Sequence, residues 1–139
     1  MALIKSLLAL LLGAFLLSAG RSHLGSNRTE FLAQVPTWLP LDPDFVVIAS
    51  GLVEITLGAL LIITALILKK YRGVIGVITA VFFILIFPGN INQYVNHLDA
   101  FGLDTDTKRF IRLLFQPPLV ALALWCSDGL RLLKKLKQI

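Results

Sequence analysis

The sequence predicts an all-α integral membrane four-helix bundle, and three observations carry that prediction. Of the 139 residues, 57% are hydrophobic and only 15% charged, against about 25% charged in ordinary soluble domains. Four apolar stretches, residues 2–20, 45–68, 73–94 and 110–130, approach or exceed the roughly 20 residues that a helix needs to cross a hydrocarbon core of about 30 Å. The charges are sorted by sign along the chain. Eight of the thirteen Lys and Arg are Lys5, Lys69, Lys70, Arg72, Arg131, Lys134, Lys135 and Lys137, in the first stretch, the short second connection and the tail. Six of the eight acids lie in the other two connections, residues 21–44 and 89–109. By the positive-inside rule both termini and the turn 69–72 are expected in the cytoplasm, with the two longer loops outside. Residues 1–139 read as one membrane domain without internal repeats.

The first stretch has a competing reading, because Lys5 followed by SLLALLLGAFLLSAG carries the basic, apolar and small-residue regions of a signal peptide. Cleavage would leave three spans and put the termini on opposite sides, which the distribution of basic residues disfavours. In the first loop, FLAQVPTWLPLDPDF places Phe31, Val35, Trp38 and Leu39 at near-helical spacing, with Pro36, Pro40 and Pro43 cutting any helix short. That pattern predicts a short amphipathic segment in the outer interface with Trp38 at headgroup level, serving as an anchor or as a lid. The second span contains one acid, Glu54. Ser50, Glu54 and Gly58 recur every four residues with Gly51 beside them, so the small and polar residues share a stripe. An acidic residue at the centre of a span costs about 2.5–3.5 kcal/mol on insertion scales, so Glu54 is expected to face the bundle interior, where small residues let helices approach. It should lie roughly 13 Å below the outer boundary.

The third span is expected to reach residue 94 through FPGNINQ, where Pro88 and Gly89 predict unwound backbone before Asn90, Asn92 and Gln93. In the fourth span Arg112 and Gln116 share a face at i, i+4, and Pro117 and Pro118 free the carbonyls of Leu113 and Leu114. That span is expected to absorb SDGL and end near residue 130. The tail, residues 130–139, sets Leu132, Leu133 and Leu136 opposite Arg131, Lys134 and Lys135. Two readings stay open for it: a helix lying on anionic lipid of the inner leaflet, or a solvated orientation signal.

Several chemistries are excluded. Cys126 is the only cysteine, so the chain has no internal disulfide and no C-x-x-C pair, and an inert apolar thiol is expected there. His23 and His97 lack metal-ligand spacing, and no metal site is expected. There is no glycine-rich phosphate loop and no Ser-His-Asp order. The net charge of +5 is topological information, since basic residues interleaved with stacking aromatics, the pattern of a nucleic-acid partner, do not occur.

Four segments thus deliver Arg21, His23, Glu54, Asn90, Asn92, Arg112 and Gln116 to the same outer half, where they are expected to converge. A carboxylate in low dielectric takes up a proton or finds a cation and amide donors. Arg112 is the first expected partner, and His23 or Arg21 the second. The cluster reads either as a pocket with a ligand or as a polar clamp that closes the bundle without one. Catalysis is left open, with Glu54 the one candidate and no second acid-base group evident inside the membrane.

SHLGSNRTEFLAQVPTWLPLDPDFVVIASGLVEITLGALLI, FPGNINQ and RLLFQPPLVALALW, taken together over residues 19–125, resemble the DoxX-like family of small bacterial membrane proteins, of the DoxX/MauE-type superfamily. The shared features are a histidine after the first span (His23), a P-x-W-L-P loop (Pro36, Trp38, Leu39, Pro40), S-G-x-x-E in the second span (Ser50, Gly51, Glu54), P-A-N-I at the end of the third (Pro88, Asn90, Ile91) and R-x-x-x-Q in the fourth (Arg112, Gln116). Gly89 replaces the alanine of that pattern, and Leu24 stands where an aromatic often follows the histidine. The resemblance implies a four-helix bundle in the bacterial cytoplasmic membrane. The name-giving member is a membrane subunit of a thiosulfate:quinone oxidoreductase, and other relatives are associated with thiol or oxidative-stress systems. More distantly, the bundle is similar to sterol isomerases and sterol-binding proteins, which hold a hydrophobic ligand beside buried acidic and amide groups. The chain is accordingly expected to be a non-catalytic component of a membrane redox or envelope-stress system. It would bind a quinone or lipid-like molecule at Glu54, Arg112, Gln116, Asn90, Asn92, His23 and Arg21, with other redox subunits or a second copy of itself as partners. The alternative is a small enzyme in which Glu54 transfers protons on a hydrophobic substrate.

Overall fold

Helix propensity and apolar patterning are realised in seven helices and one 3-10 turn, with no strand, in a computed structural model that describes residues 1–139. The elements are α1 (Ala2–Leu24), α2 (Arg28–Gln34), α3 (Pro43–Leu66), the turn Lys69–Tyr71, α4 (Arg72–Val95), α5 (Asp106–Leu114), α6 (Gln116–Cys126) and α7 (Gly129–Leu136). Four segments are long and apolar enough to cross a membrane: α1, α3, Lys69–Val95 and the α5–α6 pair, Asp106–Cys126. Their outward faces, among them Leu7, Leu11, Leu52, Ile63, Ile78 and Val81, are exposed, as suits helices solvated by lipid rather than by water.

Local chemistry sets the ends of these elements. The Asp42 side chain accepts from Phe45 N at 3.0 Å and Pro43 occupies the first turn, so α3 starts at residue 43. α1 continues past residue 20 through Arg21 and His23 and stops at Gly25. α4 stays helical through Pro88 to Val95, which corrects the expectation of unwound backbone at Pro88-Gly89. The missing proline N–H costs one helical bond, and the turn beyond it is held by side chains, since Asn90 and Gln93 are both buried and bonded to other segments. The double proline interrupts the helix ahead of itself, at Phe115, whose N–H reaches back to Arg112 O at 3.3 Å, while Gln116, Pro117 and Pro118, expected unwound, form the first turn of α6. The fourth span does not absorb SDGL. α6 ends at Cys126 because Asp128 takes a left-handed conformation (φ 63°), and the tail forms the separate helix α7.

α1 and α3 make the most extensive packing in the bundle. Gly20 faces Gly51 and Gly13 faces Gly58: a Cβ on Gly20 would lie 2.5 Å from Gly51 O, and one on Gly58 would lie 2.6 Å from Gly13 O. The two backbones touch, so no side chain larger than hydrogen fits at either crossing. Leu12, Leu16, Leu57 and Leu61 extend this seam into the core, where Phe83 of α4 and Ala123 of α6 close it.

One end of the bundle is basic. Lys5 near the start of α1 donates to Asp128 Oδ1 at 2.5 Å. Buried Arg72 donates to Ser6 Oγ at 3.1 Å and to the Cys126 carbonyl, joining the first, third and fourth spans. The chain therefore begins and ends on the same side of the bundle, as an even number of spans requires.

Substituting Gly58→Val should destabilise the fold by about 1–3 kcal/mol through overpacking, read as a lower unfolding midpoint in detergent. The Lys5 hydrogen bond, ahead of other causes, holds the Asp128 carboxyl below the usual carboxylate range. Its contribution is present above the unfolded-state value of about 4 and is lost as pH falls through the lower folded value. Asp128→Asn should thus lower stability at neutral pH by about 1 kcal/mol or less, since the pair is partly exposed. The gap between the two proteins should close in acid, as a pH series of melting curves would show.

Candidate functional site

At the other end, the glycine seam delivers an imidazole to a carboxylate. His23 occupies the last turn of α1 and Glu54 the middle of α3, and both are buried, Glu54 to 4% exposure. Gly51 makes the meeting feasible, since a Cβ there would lie 2.8 Å from His23 Cβ. His23 Nδ1 stands 2.9 Å from Glu54 Oε2 and also 2.9 Å from Ala19 O, one helical turn back. A carbonyl can only accept, so Nδ1 carries a proton and donates it to Ala19 O. Glu54 Oε2 is left buried and close to a nitrogen, yet without a hydrogen-bond donor.

Aromatic rings fix the imidazole from above. Phe31 of α2 stacks on it with centroids 3.3 Å apart, Phe101 meets Phe31 edge-on at 4.6 Å, and the Arg112 guanidinium lies 5.9 Å from the Phe101 ring. Across the bundle, Asn90 of α4 donates to Gln116 Oε1 at 3.2 Å, and Gln116 donates to Phe83 O at 2.6 Å. Gln116 stands just past the break at Phe115, and its side chain binds a carbonyl of α4 where α6 begins.

Between these groups lies a cavity of about 250 Å³. His23, Glu54, Asn90, Arg112 and Gln116 contribute its polar wall, and apolar side chains including Phe31, Val35, Leu39 and Phe83 supply most of the rest. Phe15, Leu85 and Phe115 also line it and are exposed on the outside of the bundle, so it opens sideways between spans. Trp38 lines it too and is 69% exposed.

Five of the seven residues expected to converge do so. Arg21 does not: two positions before His23 it falls about 200° around the helix, where it is exposed. Asn92 bonds Gln34 O at 3.2 Å, tying α4 to α2 instead of facing the cavity. Arg112 lines the cavity without a hydrogen bond to Glu54; the side chain in contact with Glu54 is His23, because the seam brings α1 closer to α3 than α5 comes. The first loop is helical only over Arg28–Gln34, its prolines ending the helix as expected.

Sequence reasoning missed the residues that build the roof. Gln34 donates to Gln93 Oε1 at 2.6 Å, and Gln93 donates to Ala100 O at 3.1 Å and Leu98 O at 3.3 Å. Buried Arg109 donates to Leu98 O at 3.1 Å and to Asp106 at 2.7 Å, and also binds Asp99. Glu30 accepts from Phe101 N. One hint was available for Gln34, which lies three residues after Phe31 and so shares its helical face.

Fold and site together define a helical protein with four potential membrane spans and a buried carboxylate–imidazole pair at a lateral cavity. The chain belongs to the family described as "Domain of unknown function (DUF8561)", which matches residues 12–127 and so takes in the seam and the polar wall of the cavity. No match was found among curated proteins or among solved structures.

His23→Ala should cost about 3 kcal/mol by leaving the carboxylate buried without its partner. Adding Glu54→Gln should recover much of that loss. A double-mutant cycle of unfolding free energies in detergent checks this, and additive effects would show that the two side chains do not interact.

Proposed function

We propose that this chain is a ligand-binding membrane protein whose cavity takes the head of a lipid-like molecule that carries a hydroxyl group, a quinol being one that fits. A single observation carries this reading: a buried carboxyl oxygen that meets the His23 ring without an aligned donor, on a residue in the polar wall of a largely apolar cavity. An unsatisfied buried acceptor of this kind costs about 1–3 kcal/mol, and a hydroxyl from outside would remove the cost. The terminal torsion of a glutamate is broad and nearly two-fold, so Glu54 can turn either oxygen to the cavity cheaply. The volume of about 250 Å³ falls below the roughly 300–1,000 Å³ of pockets that enclose a whole drug-sized ligand. It suits a ring or head, with a tail leaving through the opening beside Phe15, Leu85 and Phe115 into the bilayer. The similarity to DoxX-like proteins supports a place in a redox or envelope-stress assembly in the cytoplasmic membrane of a bacterium, with the basic end inside, both termini cytoplasmic, and redox subunits or a second copy as partners.

The contact of His23 with Glu54 also favours a second reading, because it supplies an acid-base partner that the sequence ranked only behind Arg112. Here the pair transfers protons on a hydrophobic substrate, with His23 relaying between Glu54 and the exposed segments above it.

Purification in mild detergent or nanodiscs, followed by mass spectrometry of what accompanies the protein, should find a hydroxyl-bearing lipophile in the native chain. Glu54→Gln should reduce its retention about 10-fold or more, the worth of a hydrogen bond to a charged acceptor. A protein that is empty in every preparation overturns the ligand reading. Retained binding by Glu54→Gln with loss of turnover on the recovered compound establishes the enzyme instead.

A further inference from the structure

The end of the bundle remote from Glu54 holds a second arrangement that the cavity does not use. The turn Lys69–Tyr71 and α7 flank the first turn of α4, leaving a cleft lined by Lys69, Lys70, Arg131, Lys134 and Lys135 with Arg72 at its base. The only carboxylate in its wall is Asp128, and Lys5 already holds that group at 2.5 Å. These cations repel one another, so something other than charge must bring them together. That something is the packing of α7 on α4: a Cβ on Gly73 would stand 3.5 Å from Leu132 Cβ, and one on Gly129 3.2 Å from side-chain atoms of Leu124 and Val77. Gly129 and Leu132 seat α7 on the bundle, Leu130, Leu133 and Leu136 are left exposed, and Arg131, Lys134 and Lys135 line the cleft with the turn. Arg72 is fixed by its bonds to Ser6 and Cys126 O, and its Nε, though buried, has no acceptor.

Apolar surface adjoins the cations. Leu130, next in sequence to Arg131, stands at one end of a groove that follows α6 and α4 past Trp125, Val120 and Pro117 to Ile84. On the other flank Ile67 and Leu68 are exposed. A concentrated positive charge without neutralising carboxylates, bordered by a greasy channel along two spans, matches a molecule with an anionic head and a long acyl chain. A small free anion would leave the channel unused.

We propose that this cleft binds the headgroup of an anionic phospholipid, with an acyl chain lying in the groove between α4 and α6. The attraction is worth about a fivefold change in affinity for each basic residue near an anionic surface. The basic cleft shares no lining residue with the Glu54 cavity, and the groove meets that cavity only at Gln116, which lines both.

The chain has two tryptophans, at opposite ends of the bundle, which makes a local reporter available. Trp125 lines the groove, with Lys5 Nζ 5.3 Å from its ring. In full-length Trp38→Phe protein, reconstituted into phosphatidylcholine vesicles, Trp125 fluorescence should be quenched by brominated phosphatidylglycerol at a proportion about fivefold or more below that needed of brominated phosphatidylcholine. Lys134→Gln and Lys135→Gln should each weaken that preference by roughly fivefold, Lys134→Arg should keep it, and Lys137→Gln, outside the cleft, should leave it unchanged. Equal quenching by the two lipids overturns the proposal. So does a loss with Lys137→Gln as large as with Lys134→Gln, which would assign the attraction to the tail's total charge. Relief of quenching by inorganic phosphate, beyond that of chloride at matched ionic strength, would make the cleft a free-anion site and likewise refute a phospholipid occupant.

Discussion

A carboxylate buried among helices in a chain this apolar must be compensated, and the contact of Glu54 with His23 is the interaction around which the cavity end is arranged. It lies where α1 and α3 touch backbone to backbone at Gly20 and Gly51. Larger side chains there would push the helices apart and move His23 away from Glu54. The stacking of Phe31 on the imidazole, the tether of Gln34 to Gln93 and the edge contact of Phe101 then add a roof over the pair. Each is a consequence of where His23 stands.

The two ends of the bundle differ in how their polar groups are satisfied. At the basic end the Arg72 guanidinium joins three spans, and Ser127 fits so closely against Gly76 that a Cβ there would lie 1.5 Å from its hydroxyl oxygen. That end is locked by small residues and bonds among fixed groups. At the Glu54 end the bonds run between side chains of different segments, through amides and rings, around space that the protein leaves unfilled.

Much of this was legible from residue order. Length and hydropathy gave four spans because a bilayer leaves few alternatives, and the energetic cost of a charge in lipid turned Glu54 inward. The positions of Gln116, Asn90 and His23 followed from the same depth estimate. The errors have a common origin. Choosing Arg112 over His23 as the partner of Glu54 requires knowing which helices touch, and the glycines that decide it are spread over two segments: Gly13 and Gly20 in one, Gly51 and Gly58 in the other. Each pair is seven residues apart, a spacing that keeps both on one face, but only the second pair was noticed, and only as space around Glu54. Pro88 misled because a proline's local preference was weighed without the long-range bonds of Asn90 and Gln93 that hold α4 together beyond it. Gln34 and Arg109 escaped because their partners, the Gln93 side chain of α4 and the Leu98 carbonyl, lie in other segments that no periodicity links to them.

The paired glycines also fix how the chain can change in length. With two backbone crossings on antiparallel helices, an insertion between Gly13 and Gly20 would swing one crossing about 100° away while the other stayed in place. No sliding movement restores both, so the intervals 13–20 and 51–58 behave as a gauge of constant span. Additions and deletions are confined to the connections, α2 excepted, because its Phe31 stacks on the imidazole.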